Sequence, residues 1–175
     1  MNRATKTFCL LALLLLALPR LGIAATVYAP PACGVPGGQA EVIVSVDEVR
    51  GLAGFKLVLT YDAGVLEYVF TDRTGATRSM MHVVNDREPG RLIVVMAAAR
   101  GISGRDVPLA RFTFRVREDA AHAGKGRGAE GEPGQGEDPA PARVCSPLSF
   151  TGGQLMGDDL KEIPLAFGLC PQKAP

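Results

Sequence analysis

Val42, Val44 and Val46 fall on one side of an extended chain, and Glu41, Ile43 and Ser45 fall on the other. A period of two is the pattern of a β-strand with one face buried. The pattern returns after Gly51-Leu-Ala-Gly54, a predicted turn, where Phe55, Leu57, Leu59 and Tyr61 alternate with Lys56, Val58 and Thr60. It returns again at 109–117, where Ala110, Phe112, Phe114 and Val116 alternate with Arg111, Thr113, Arg115 and Arg117. Shorter strands are predicted at 65–71, 81–85, 92–96, 145–155 and 162–169, with Asp86-Arg-Glu-Pro-Gly90 as a turn. The run 92–96 is apolar on both faces, so its outer face meets either more of this chain or a partner. No segment sustains helical periodicity. About nine short strands with turn punctuation predict an all-β antiparallel β-sandwich, for which a jelly roll is one topology.

Two segments stand apart from this pattern. Arg3 and Lys6 precede an apolar run over residues 8–18, and small residues follow at Gly22, Ala24 and Ala25. The run is short for a membrane span and has the layout of a signal peptide over residues 1–25, cut after Ala24 or Ala25, which predicts a secreted or periplasmic protein. Removing it takes away Arg3, Lys6 and Arg20 and leaves a near-neutral single domain over 26–175. Residues 118–143 contain no Val, Ile, Leu, Met or Phe but six Gly and three Pro. Such a stretch buries too little apolar area to offset the entropy of ordering it, so a disordered insertion within one domain is expected.

The chemistry-bearing residues are sparse. With 19 Lys+Arg against 18 Asp+Glu, the chain has no basic field with which to bind nucleic acid. His82 and His122 are remote from one another, and no Cys-x-x-Cys pair exists, which argues against zinc. Ser103, in Gly-Ile-Ser-Gly, lacks the spacing of a nucleophile elbow. The adjacent carboxylates Asp158 and Asp159, and those at Asp86 and Glu88, lie on predicted turns without the Asp-x-Asp-x-Asp-Gly loop that calcium favours. No catalytic residues, metal or cofactor are therefore expected. Cys33, Cys145 and Cys170 remain after leader removal, enough for one bridge and one leftover thiol in an oxidising compartment.

The order of features resembles the cohesin domain, a secreted jelly-roll module that binds dockerin and is related to certain carbohydrate-binding modules. The landmarks are Cys33-Gly-Val-Pro-Gly-Gly-Gln39 before the valine strand, Val49-Arg-Gly-Leu-Ala-Gly-Phe55, the element Tyr61-Asp-Ala-Gly-Val-Leu-Glu67, then Gly101-Ile-Ser-Gly104 and the 109–116 strand. They are packing and turn residues and speak more to fold than to activity. The resemblance implies that strands 55–61, 81–85 and 92–96 and the strand after Cys145 share one sheet, whose outer face receives dockerin helices. If Leu57, Leu59, Leu92, Val94 and Met96 face the core, then Lys56, Val58, Thr60, Ile93 and Val95 face outward, with Val83 and Asn85 beside them. An apolar centre with a polar rim suits a protein partner. The resemblance also implies parallel first and last strands, which would bring Cys33 to Cys170, with Cys145–Cys170 as the competing pair. Any calcium would then belong to the partner. A non-catalytic module that binds a dockerin-like or other exported protein is the leading expectation. A carbohydrate-binding module of polysaccharide degradation and a structural envelope component are the alternatives; for the former, Trp is absent and Tyr28, Tyr61 and Tyr68 are scattered.

Overall fold

A computed structural model describes residues 24–120 and 143–168. The leader, save Ala24 and Ala25, and the insertion, save Glu118–Ala120 and Arg143, lie outside the described residues, as does Cys170.

Two long strands organise the molecule. Strand β3 (Gln39–Thr60) and strand β6 (Arg91–Val116) pair antiparallel along their whole length, from Gln39↔Arg115 to Thr60↔Arg91. The first half of β3 and the second half of β6 form the centre of one layer, flanked by β1 (Ala25–Tyr28) and by β4 (Leu66–Arg73). Strand β10 (Leu165–Phe167) adds to β1 in parallel, Ala25↔Leu165, so the expected parallel pairing of first and last strands is present. The other halves form the centre of the second layer. There β5 (Met81–Glu88) pairs with β6, while β8 (Ser149–Gly157) pairs with β3 and carries β9 (Glu162–Ile163). The β5–β6 hairpin closes at Pro89-Gly90, with Gly90 at φ 83°; the turn expected over 86–90 is shorter, because Asp86–Glu88 continue β5.

The expected turn at 51–54 is instead a corner within β3. Register shifts at Val49/Leu52 and Leu52/Gly54 insert the extra residues that bend a strand from one layer to the other. They also exchange the buried parity, from Val42, Val44 and Val46 to Phe55, Leu57 and Leu59. Period two on both sides, with Gly between, reads as a hairpin in sequence; it is the bulge that keeps it one strand. Gly51 sits at φ 64°, where Gly carries no steric penalty, and its N–H donates to Ser103 Oγ at 2.8 Å. Ser103 thus serves the corner. Gly101 crosses Gly51 so closely that a Cβ there would overlap the Gly51 backbone. Gly101→Ala is therefore expected to destabilise the domain by about 3 kcal/mol or fail to fold, because two backbones must part. Urea unfolding checks this against Gly152→Ala, whose Cβ would meet only Val58 at 3.8 Å and which should be near neutral.

The two layers close on one core. Val42, Val44, Leu57, Leu59, Leu92, Val94, Met96, Phe112, Phe114 and Leu155 are buried in a single cluster. Tyr61 tilts against Phe114 with ring centroids 5.1 Å apart, and Tyr68 meets the same ring edge-on at 6.2 Å. Ala120, inside the stretch read from sequence as insertion, is buried against this core, because Arg117–Ala120 turns back with Ala120 N–H donating to Arg117 C=O.

The segment read as one strand over 145–155 is two. Strand β7 (Val144–Ser146) leaves the main sheet and pairs with β2 (Ala32–Gly34), placing Cys33 opposite Cys145 with Cα atoms 4.1 Å apart, and the two are disulfide-bonded. This corrects the Cys33–Cys170 expectation and its Cys145–Cys170 alternative. The parallel-ends argument holds for β1 and β10, but Cys33 is not in β1. Pro30-Pro31 separate it into β2, whose partner is the strand that follows the insertion.

Strand β1 is tethered by a charge. Asp47 Oδ1 accepts the Thr26 N–H at 2.7 Å and the Glu48 N–H at 2.6 Å. Partial burial pushes the carboxyl up, but these N–H donors outweigh it and hold the group below the ordinary 3.8. A depressed folded value stabilises the fold above the unfolded value, and that contribution disappears as pH falls through the lower folded value. Urea titrations from about pH 6 to about pH 2 should show stability falling below 3.8, with Asp47→Asn flattening that part of the profile.

Candidate partner-binding face

The seven residues expected on one outer face are brought together there. Across β5, β6 and β3 the register sets Val83 beside Val95 beside Lys56, and Asn85 beside Ile93 beside Val58. Thr60 continues the row next to Arg91. Their neighbours in chain, Leu57, Leu59, Leu92, Val94 and Met96, point into the core and are essentially inaccessible. Alternation then forces the seven outward. Val83 is 69% exposed and Val95 41%, whereas Val58 and Ile93 are half-buried by their neighbours.

Sequence reasoning missed part of this face. Met81, 79% exposed, continues the β5 row and lies opposite Ala97. Its alternation with Val83 was the available signal. Strand β8 contributes Gln154, opposite Lys56, and Gly152, opposite Val58. Those were hidden because Gly152 and Gly153 carry no side chains to show a period.

The charges on the two outer faces differ in kind. Lys56 stands at the middle of the face between Val95 and Gln154 and has no ion-pair partner among the described residues. At the β5–β6 turn Arg91 pairs with Glu88 at 3.0 Å. On the other layer Arg111 faces Glu41 at 4.0 Å, Arg115 faces Glu67 at 3.7 Å, and Arg117 faces Asp119 at 3.5 Å. Such exposed pairs contribute little to stability and neutralise the charge of that face, which also exposes Ile43, Val69 and Phe70.

Of the carboxylates considered from sequence, Glu88 pairs with Arg91 and Asp159 with Lys161. Asp159 Oδ1 accepts the Lys161 N–H at 3.1 Å and Oδ2 pairs with Lys161 Nζ at 3.2 Å, which lowers its affinity for a proton. Asp158 lies against Gly51 at the corner, its N–H donating to Gly51 C=O at 2.7 Å. Among the described residues, no three His, Cys, Asp or Glu side chains converge as a metal site. The tyrosines are committed inward: the Tyr28 hydroxyl donates to Asp106 at 3.0 Å, and Tyr61 and Tyr68 pack on Phe114.

This is a jelly-roll sandwich whose β8–β3–β6–β5 outer face exposes Met81, Val83 and Val95. The sequence profile of the cohesin domain matches residues 27–137, and the chain belongs to that family. Strands β8 to β10 lie beyond the matched span yet complete the same two layers, and β7, also beyond it, pairs with β2 apart from them. Among solved structures, a non-cellulosomal cohesin from the archaeon Archaeoglobus fulgidus is similar at 20% identity and a TM-score of 0.61, covering 86% of this chain and 94% of that one. The sixth cohesin of Acetivibrio cellulolyticus scaffoldin B, solved in complex with a mutant Cel5 dockerin, is similar at 16% identity and a TM-score of 0.59, covering 83% and 95%. The cohesin module of a Clostridium perfringens family 33 glycoside hydrolase is similar at 12% identity and a TM-score of 0.52, covering 83% and 98%. These likenesses confirm the all-β fold. No curated protein matches the chain. Among the described residues no helix is long and apolar enough to cross a membrane.

Proposed function

We propose that this chain is an exported, non-catalytic cohesin module that binds a dockerin-like or other extracytoplasmic protein through the outer face of β8, β3, β6 and β5. The observation that carries the reading is the contrast between faces: Met81, Val83, Val95, Ile93 and Val58 form an apolar field around Lys56, which has no ion-pair partner among the described residues, while Arg111, Arg115 and Arg117 opposite are matched by carboxylates. Desolvating apolar area drives association, and an apolar field of this kind is where a partner gains most. A partner that covers Lys56 must supply an acceptor for its ammonium, so a carboxylate beside an apolar surface is the complementary chemistry. That a related cohesin was solved with a dockerin on it supports a protein partner. The leader over residues 1–25 supports export, and any calcium belongs to the partner.

The test is a titration of the processed chain against a panel of purified calcium-loaded dockerin modules, repeated with chelator, and a separate pull-down on insoluble polysaccharides. Saturable binding to a dockerin, lost with chelator, is the expected result. Retention on polysaccharide with no dockerin bound would overturn the reading in favour of a carbohydrate-binding module, and no binding to either would favour a structural role.

A further inference from the structure

Ala25 is already part of the fold. It is 4% exposed, pairs with Leu165, and its N–H donates to Pro164 C=O at 2.8 Å. Ala24 lies just outside β1 and borders an open cleft of about 680 Å³. The charged groups lining that cleft are Asp47, Glu48 and Arg50 from β3 and Arg105 and Asp106 from β6. Glu48 is met by both guanidinium groups, Arg50 at 3.5 Å and Arg105 at 3.3 Å. Asp47 receives the Thr26 and Glu48 backbone N–H groups and a hydrogen bond from the Thr26 side chain, and Asp106 receives the Tyr28 hydroxyl. Three carboxylates against two guanidinium groups leave the cleft one negative charge in excess.

A small residue is needed at the last and third-last positions of a leader. A cut after Ala24 puts Gly22 and Ala24 there, whereas a cut after Ala25 puts the bulky Ile23 at the third-last position. The later cut would also delete the buried Ala25 and its bond to Pro164. The sequence frame and the strand register therefore select the same peptide bond.

We propose that a leader peptidase hydrolyses the Ala24–Ala25 bond and that the new α-ammonium of Ala25 is retained as the counter-charge of the Asp47–Glu48–Asp106 cleft. Water adds across the amide, leaving a carboxylate on Ala24 and an amine on Ala25 that takes up a proton. The amine keeps a hydrogen for Pro164 C=O and brings the single positive charge that the cleft lacks. Because Ala25 is buried once β1 is docked, the cut precedes that docking.

This inference rests on the export reading, and the test separates the two. The full chain with its own leader is expressed in an exporting host, recovered from outside the cytoplasm and sequenced from its N-terminus. A start at Ala25 is expected; a start at Thr26 would overturn the cut position alone, and recovery only inside the cell with Met1 intact would overturn export as well. Thermal unfolding is then compared for chains beginning with free Ala25, α-N-acetylated Ala25 and Thr26. The free-amine chain should melt several degrees above both others. Equal midpoints for free and acetylated Ala25 would refute the counter-charge.

Discussion

Replacing Cys33 and Cys145 together by serine is expected to lower unfolding stability by about 4 to 5 kcal/mol. The bond joins residues separated by 112 positions, and a loop of that length loses much of its unfolded-state entropy when closed. A domain of this size has about 5 to 15 kcal/mol in all, so the double variant should unfold at far lower urea and reduction of the wild type should do the same. Cys170→Ser should leave the urea midpoint unchanged. Peptide mapping of the non-reduced protein should recover a Cys33–Cys145 linked pair. The bond has a second consequence, because Cys33 precedes the insertion and Cys145 follows it. Trypsin cleavage at Lys125 or Arg127 should leave two pieces that separate on a gel only after reduction.

Val95→Asp should abolish partner binding while the domain stays folded. Val95 is 41% exposed at the centre of the face, so a carboxylate there remains hydrated in the free protein. On binding it would be desolvated among Val83, Ile93 and the partner's apolar surface, at a cost of several kcal/mol. Each 1.4 kcal/mol is tenfold, so affinity should fall by at least about a hundredfold. Val58→Asp should act in the same way from the adjacent strand. Ile43→Asp, 41% exposed on the opposite layer, should leave both affinity and fold unchanged. Calorimetric titration of the three variants against one dockerin that binds the wild type distinguishes a local face from general loss of structure.

Much of this face was legible in the sequence because it follows from parity. Once Leu57, Leu59, Leu92 and Val94 are buried, Val58 and Ile93 have only one direction left. The alternation at 42–46, 55–61 and 109–117 likewise fixed which residues make the core. Parity carries no information about where a strand bends, so β3 and β6 were each read as two strands; bulges at 49–54 and the Gly51–Gly101 crossing join them. The disulfide was beyond local pattern for a similar reason. Three-residue strands such as β2 and β7 are too short to show a period, and their pairing is decided by where Pro30-Pro31 and Pro147 send the chain. Ala120 was misread because an alanine amid Gly and charged residues shows nothing of the core it caps.

The location of binding can be read from methyl groups. With Val and Ile methyls labelled, a bound dockerin should shift and broaden the signals of Val58, Val83, Ile93 and Val95 and leave Ile43 and Val69 in place. Shifts confined to Ile43 and Val69, on the layer of paired arginines, would contradict the assignment of the partner face.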